Sequence, residues 1–181
     1  MNIDTIIRQI RANAPIFNGN VAGAAEYALA QDQAWMPGPC GYVVPLDDEP
    51  GPNLKLTGLQ QVVTETFMVM CLLDNSADRR GQAAATAAVN DVKAALFSAV
   101  LNWRPDDINA AQGFRYARGG LVGDPNRARL WWQFDFSIDV TITDAEGFQI
   151  QTTPLDEIKA SITDQTSGDP FASFVAANLQ K

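Results

Sequence analysis

Residues 130–142 alternate between apolar and mostly polar side chains at every position. This period-two alternation is typical of a β-strand with one buried and one solvated face. At roughly 3.3 Å per residue the strand would span about 43 Å, whereas most strands have about five or six residues. We therefore expect part of it to extend past its own core, where another subunit could cover the apolar side chains. Those side chains are Leu130, Trp132, Phe134, Phe136, Ile138, Val140 and Ile142.

The composition indicates one domain with a substantial core and argues against several functional classes. The chain has 181 residues, of which 46% are hydrophobic, and a formal net charge of −8. No basic patch dominates, so direct nucleic-acid binding is disfavoured. His is absent, which removes the commonest general base and the commonest metal ligand. Most hydrolase and metalloenzyme classes are thereby disfavoured.

The cysteines and the first segment favour a reduced, cytoplasmic protein. Cys40 lies in a Pro/Gly turn and Cys71 in an apolar run, without a Cys-x-x-Cys pair. The sequence leaves a disulfide between them open, although Cys71 is typical of a small core residue. Asp4, Arg8 and Arg11 interrupt the first apolar segment, which is unlike a signal peptide. No apolar run approaches 18 residues, so we predict no membrane span.

The hydrophobic periodicity predicts an α+β fold with a mainly antiparallel sheet. Its long strands are expected at about 60–74 and 128–143. Residues 67–73 are apolar on both faces, which indicates a central strand under a helix. The Ala-rich segment at about 79–101 is the candidate for that helix. The remaining predicted elements are helices at 3–13 and 24–33, short strands at 42–46 and 114–120, and a loop at 47–55.

The C-terminal segment has a different character. Residues 144–147 predict a hairpin-type turn, and 161–169 are polar and loop-like. Residues 171–179 follow Asp169, which can cap a helix, and Pro170, which suits the first position of a helix. They therefore predict a C-terminal helix or tail. We therefore divide the chain into a single α+β domain at 1–150 and a C-terminal arm or short helix at 151–181.

The candidate chemistry is weak, and we predict a non-enzyme without cofactor, metal or catalytic residues. Asp47, Asp48 and Glu49 could supply oxygen ligands to a divalent cation. Their spacing lacks the regularity of a calcium loop, so a solvated loop is favoured. Without His, no Ser, Cys or Thr nucleophile has a visible base. The lysines that might replace it lie in no recognisable motif; they are Lys55, Lys93, Lys159 and Lys181.

Asp135 and Asp139 project from the polar face of the long strand, about 13 Å apart. That separation is too large for a glycosidase pair. The simplest interpretation is that both carboxylates keep a long sheet face solvated. In a ring-shaped protein they could instead line a channel and repel the phosphates of passing DNA.

Arginines and tryptophans supply candidates for an interface. Trp132 belongs to the apolar face, whereas Trp131 points the other way. Trp131 could lie in a subunit interface or be covered by side chains of its own chain, and both alternatives stay open. Nucleic-acid binding lacks an interleaved aromatic platform. Ion pairs between subunits are favoured for arginines near turns and strand starts, namely Arg79, Arg80, Arg115, Arg118, Arg127 and Arg129.

The layout resembles the tail terminator (tail completion) proteins of tailed bacteriophages and related neck proteins that join tail to head. The likeness covers about the first 145 residues, from the N-terminal helix through Pro45-Leu46-Asp47. It continues through residues 62–73 with Asp74-Asn75, and through helix 79–101. Asn102-Trp103-Arg104-Pro105 and strand 130–142 complete it.

The resemblance implies a virion protein at the head–tail junction, assembled in the host cytoplasm. The resemblance implies that such a protein forms a homo-oligomeric, hexameric ring on the tail tube protein. The ring stops tube polymerisation and presents a surface to the head–tail connector or head-closure protein, and genome DNA passes through it. We expect subunit, tube or connector contacts at Trp131, Asp135, Asp139, Arg127, Arg129, Arg79, Arg80, Asp47, Asp48, Glu49 and Trp35.

Two alternatives stay open at this stage. One is another neck or tail subunit, such as a head-closure, connector or tube protein. The other, from a different class, is a small-ligand-binding domain or an enzyme with an unrecognised site.

Overall fold

A computed structural model describes residues 1–32, 38–74, 83–122, 129–149, 157–163 and 170–177. It divides the chain into two units, Met1–Gly147 and Phe148–Lys181.

The helices of the first unit form where the sequence predicts them. Helix α1 (Ile3–Asn13) begins at Asn2, whose side chain accepts hydrogen bonds from the first-turn backbone. Ile6, Ile7 and Ile10 form its buried face. Helix α2 spans Ala24–Asp32 and helix α3 spans Ala83–Val100. Residues 79–82 of the predicted long helix lie outside the described residues.

The strands of the first unit form one six-stranded sheet. Two 15-residue strands, β4 (Gln60–Asp74) and β6 (Arg129–Thr143), pair antiparallel from Gln60↔Thr143 to Asp74↔Arg129. The strand order is β1-β2-β4-β6-β5, and β3 also pairs with β4. Only β1 and β2 pair in parallel among these described strands, so the prediction of a mainly antiparallel α+β fold is confirmed. The shorter strands are β1 (Val21–Ala22), β2 (Cys40–Pro45), β3 (Glu49–Asn53) and β5 (Arg115–Leu121).

The core lies between one sheet face and helices α1 and α3. Phe67 and Phe136 stack with ring centroids 5.5 Å apart, and Phe97 of α3 packs edge-on against Phe136. Phe134 and Ile138 of β6 are fully buried beside them. The well-buried part of the alternating segment's apolar face therefore lies in the core beneath α1 and α3.

The two cysteines lie on opposite faces of the sheet. Cys40 in β2 pairs with Leu72, whereas Cys71 pairs with Gly41. Successive residues of a strand point to opposite faces, so the two thiols cannot meet. Both thiols are free and buried, and burial raises the pKa of each. The disulfide that the sequence left open is therefore not formed.

The prediction of a loop at 47–55 is wrong in part, because Glu49–Asn53 forms strand β3. The strand was not predicted because the segment contains Pro50 and Pro52, and proline is unfavourable in a central strand. β3 pairs on one side with β4 and lies off the main strand order. An edge position tolerates the missing N–H donors of proline.

The second unit contains a two-stranded antiparallel sheet. The prediction of a C-terminal helix at 171–179 is therefore wrong. Strand β7 (Glu157–Thr163) pairs with strand β8 (Pro170–Ala177). The aromatic and β-branched residues of β8 favour an extended backbone. That preference, with cross-strand pairing, outweighs the helix-start signal at Pro170. Ser161, expected in a loop, lies within β7. The role of this segment as an arm stays a prediction.

Candidate assembly surfaces

The long strands extend past the well-buried core. Residues 67–73 and 134–138 are buried apart from half-buried Met68, whereas residues 60–66 and 139–143 are half-buried or exposed. We call this second region, 60–66 with 139–143, the projecting end. Burial decreases along the two strands, but Val140 still packs against the core, so the expectation that the strand outruns its core stays a prediction. That a second copy covers it stays a prediction.

The edges of the projecting end are paired. β3 lies along β4 on one side. On the other side Ala110 forms a bridge with Val140, and the Thr141 amide donates to the Asn109 carbonyl at 2.8 Å. Val140 packs against the core, whereas Ile142 is half-buried on a region with a fixed backbone.

A hairpin tip, residues 54–59, connects β3 to β4 and is held by Asn53. The Asn53 Oδ1 accepts hydrogen bonds from the Lys55 amide at 3.2 Å and the Gln60 amide at 2.9 Å. Its Nδ2 donates to the Gly58 carbonyl at 2.9 Å. One asparagine thus closes the loop from both sides.

Asp144, just after β6, fixes the same tip from the neighbouring strand. Its Oδ1 accepts from the Leu59 amide at 2.6 Å, and its other oxygen lies 3.9 Å from the Lys55 ammonium. Leu54 is nevertheless 62% exposed and Leu56 is fully exposed. The loop therefore presents two leucines to solvent on a backbone held by side-chain hydrogen bonds.

On the open face of the sheet, two arginines of β5 pair with two aspartates of β6. Arg115 forms two hydrogen bonds with Asp139, at 2.8 and 2.9 Å. These bonds, and one from the Thr64 hydroxyl, lower the pKa of Asp139. The Nε of Arg118 donates to Asp135 at 2.6 Å. The arginines that we expected to pair between subunits here pair within the chain.

A β-bulge makes this arrangement possible. Arg115 and Arg118 are three residues apart, which in a regular strand would place them on opposite faces. The register shifts between Tyr116 and Arg118, with Ala117 as the extra residue. Both guanidinium groups therefore reach the face that carries Asp135. Sequence reasoning missed the pairing because Arg-x-x-Arg contains no sign of a bulge.

The expectation that Asp135 keeps a sheet face solvated is wrong. Asp135 is only 3% exposed, although the Arg118 side chain beside it is 71% exposed. Gln133 donates a second hydrogen bond to the same carboxylate at 2.6 Å. Arg118 therefore balances the charge of the buried Asp135 carboxylate, Gln133 satisfies its other oxygen, and Asp139 is likewise paired with Arg115.

Trp131 has a local cover. Tyr27 of α2 packs edge-on against it with ring centroids 5.6 Å apart, and Tyr42 of β2 lies at 6.1 Å. The tryptophan stays half-buried. Of the two alternatives for Trp131, the intrachain cover is present in the folded subunit.

Asp47, Asp48 and Glu49 are exposed, and within the described part of the chain they form no ion pair. Asp47 and Glu49 line an open groove of about 750 Å³ that Arg115 and Arg118 also line. The groove joins acidic and basic residues on the uncovered sheet face. The other predicted contact residues, Trp35, Arg79, Arg80, Arg127 and the side chain of Arg129, lie outside the described residues.

Other site types find little support. Within the described ranges, no three His, Cys, Asp or Glu side chains cluster in a way that could hold a metal ion. No described helix is long and apolar enough to cross a membrane.

Comparison with known proteins gives one family. The profile of the phage tail terminator protein family matches residues 1–146. The comparison with curated proteins gives no match. A chain in the solved structure titled "Virion of native gene transfer agent (GTA) particle" is 20% identical, with a TM-score of 0.44. That alignment covers 75% of this chain and 91% of that chain.

The family match spans almost all of the first unit, from α1 to the turn after β6. It contains the long paired strands, the projecting end and the hairpin tip. The chain therefore belongs to the phage tail terminator family and is a tail structural protein of the virion.

Proposed function

We propose that the protein forms a hexameric ring at the head–tail junction. The ring would sit on the last ring of the tail tube protein and stop tube polymerisation. Its other surface would receive the head–tail connector or head-closure protein, and genome DNA would pass through its channel. Assembly would take place in the host cytoplasm.

The projecting end is the observation that supports this proposal most strongly. Its backbone is fixed by β3 and by residues 109–110, yet the apolar side chain of Ile142 is only half-buried. Further burial of such side chains would be favourable, because apolar burial is the main favourable term in folding and in most protein association. Contact with another subunit would bury them. A head-to-tail contact that closes after a few copies produces a ring.

The open sheet face supports a structural role without catalysis. Its carboxylates, Asp135 and Asp139, are both held in ion pairs with arginine. Both carboxylates are therefore engaged in contacts within the fold. The paired arginines would also leave less acidic charge to line a channel than the sequence suggested, so the repulsion of DNA would be modest.

Native mass spectrometry and electron microscopy test the proposal together. The purified protein should have the mass of a closed hexamer. Added to growing tail tubes, it should bind tube ends and stop elongation. A monomer that leaves tube growth unchanged would contradict the proposal. A protein that polymerises alone into long tubes would instead be a tube subunit, which is the alternative role.

A further inference from the structure

The hairpin tip presents Leu56 as an isolated apolar knob. Leu56 is fully exposed, and its neighbour Leu54 is 62% exposed. The hydrogen bonds from Asn53 and Asp144 keep the loop in one conformation. A side chain held in this way loses little conformational entropy on binding, which favours insertion into a partner.

The same subunit carries a hollow at the opposite end of the sheet. The hollow has a volume of about 360 Å³ and lies between α2 and strands β1 and β2. Its apolar lining comes from Val21, Ala22, Leu29, Ala30 and Tyr42. A protein cavity of about 150 Å³ accommodates benzene, so this hollow has room for a leucine side chain.

The charges around the two features are complementary. Lys55 lies beside Leu56 on the tip, and its ammonium is 3.9 Å from Asp144. Glu26 lines the hollow, is exposed, and has no ion pair within the described residues. Arg11 also lines the hollow, and its guanidinium donates twice to the Val21 carbonyl, which fixes its position without neutralising its charge. Lys55 is only loosely paired with Asp144, so it could exchange that contact for one with Glu26, the carboxylate among the lining residues.

Distance prevents the knob from reaching the hollow of its own chain. The tip precedes Gln60, whereas Tyr42 of the hollow pairs with Met70 of the same strand. Ten residues of strand separate these positions by roughly 33 Å. A contact between two such remote surfaces must join different copies head to tail, which is the geometry of a closing ring.

We propose that each subunit inserts Leu56 into the hollow of the next subunit, with Leu54 against Leu29 and Lys55 against Glu26. This inference rests on the proposed ring and names the contact that closes it. The partner is a second copy of this chain.

Substitution of the knob is the first test. Leu56→Asp should raise the protein concentration needed for ring formation at least tenfold in native mass spectrometry. Leu121→Asp is the matched control, because Leu121 is also exposed but lies on β5, and it should leave the ring unchanged. Thermal melting should show that both variants fold, since neither side chain is buried.

A charge exchange is the second test. Lys55→Glu and Glu26→Lys should each weaken the ring, and the double variant should recover most of the loss. Both side chains are accessible, so folding should be preserved. Recovery requires that the two residues meet across the contact.

The outcomes separate this inference from the proposed function. A wild-type chain that stays monomeric would overturn both. A wild-type ring that Leu56→Asp and the charge variants leave intact would overturn only the knob-and-hollow contact. If Leu56→Asp preserved the ring but abolished binding to tail tubes, the tip would face the tube protein, and the inference would again be wrong.

Discussion

The two halves of the long strand pair have the same sequence pattern and different surroundings. In the core half, residues 67–73 with 130–138, the apolar face packs under α3, and Phe136 is fully buried. In the projecting end, the alternation continues through Val140 and Ile142, but both side chains are only half-buried. One continuous pattern therefore serves two tasks. The first half stabilises the subunit, and the second is available for assembly.

The two arginine–aspartate pairs on the open face repeat this contrast. Asp135, beside the core half, is buried, and Gln133 and Arg118 satisfy it. Asp139, at the start of the projecting end, is exposed and pairs with Arg115. The two ion pairs have the same chemistry, but they differ in burial. They should therefore contribute differently to the free energy of unfolding.

The largest expected effect is in the core half. Phe136→Ala should lower the free energy of unfolding by about 3–5 kcal/mol, because it removes a fully buried ring and leaves a cavity. Urea denaturation of the dissociated subunit measures this change. A loss below about 1 kcal/mol would show that the core half does not carry the stability assigned to it.

The next effect distinguishes the two ion pairs. Arg118→Ala should cost about 1–3 kcal/mol, because it leaves the buried Asp135 carboxylate without its cation. Arg115→Ala should cost less than about 1 kcal/mol, because both members of that pair are solvated. The comparison uses urea denaturation at neutral pH. Equal losses for the two variants would contradict the assigned difference in burial.

Ile142→Ala in the projecting end should separate stability from assembly. Its half-exposed side chain should contribute only about 1 kcal/mol to the free energy of unfolding of the subunit. Ring formation, followed by native mass spectrometry, should weaken much more than under Val92→Ala, which removes a buried aliphatic side chain of α3 outside both proposed contacts. A variant that lost subunit stability but assembled normally would place Ile142 in the core.

The smallest effect is a dependence on pH. Arg115 and Thr64 lower the pKa of Asp139 in the folded state. Asp139 therefore adds stability above its unfolded pKa of about 3.9, and this contribution disappears as the pH falls through the lower folded value. The difference between wild type and Asp139→Asn should be a few tenths of a kcal/mol at pH 7 and should vanish in acid. A difference that grew toward low pH would contradict the sign.

Much of the fold follows from local patterns. The alternation at 130–142, the double-sided apolar run at 67–73 and the cap at Asn2 each predicted an element that the structure contains. These signals are reliable because one strong preference, burial or capping, acts on each segment. The expectation that the long strand leaves its own core came from its length alone.

The remainder depends on tertiary context. The bulge at Ala117 changes the face on which Arg118 lies, and the neighbouring residues contain no pattern that predicts a bulge. β3 forms despite two prolines because it occupies an edge. β8 forms because it can pair with β7, which outweighs a helix-start signal. The hairpin tip was also missed, since Asn53 and Asp144 meet it only in the folded chain.

Hydrogen exchange on the assembled and dissociated protein tests the division of the strand pair most directly. Assembly should slow exchange of backbone amides in the hairpin tip and the projecting end, residues 54–66 and 139–143. Exchange in the core half, residues 67–73 and 130–138, should be slow in both states and unchanged. Added protection confined to the core half, or no change anywhere along the two strands, would contradict the account.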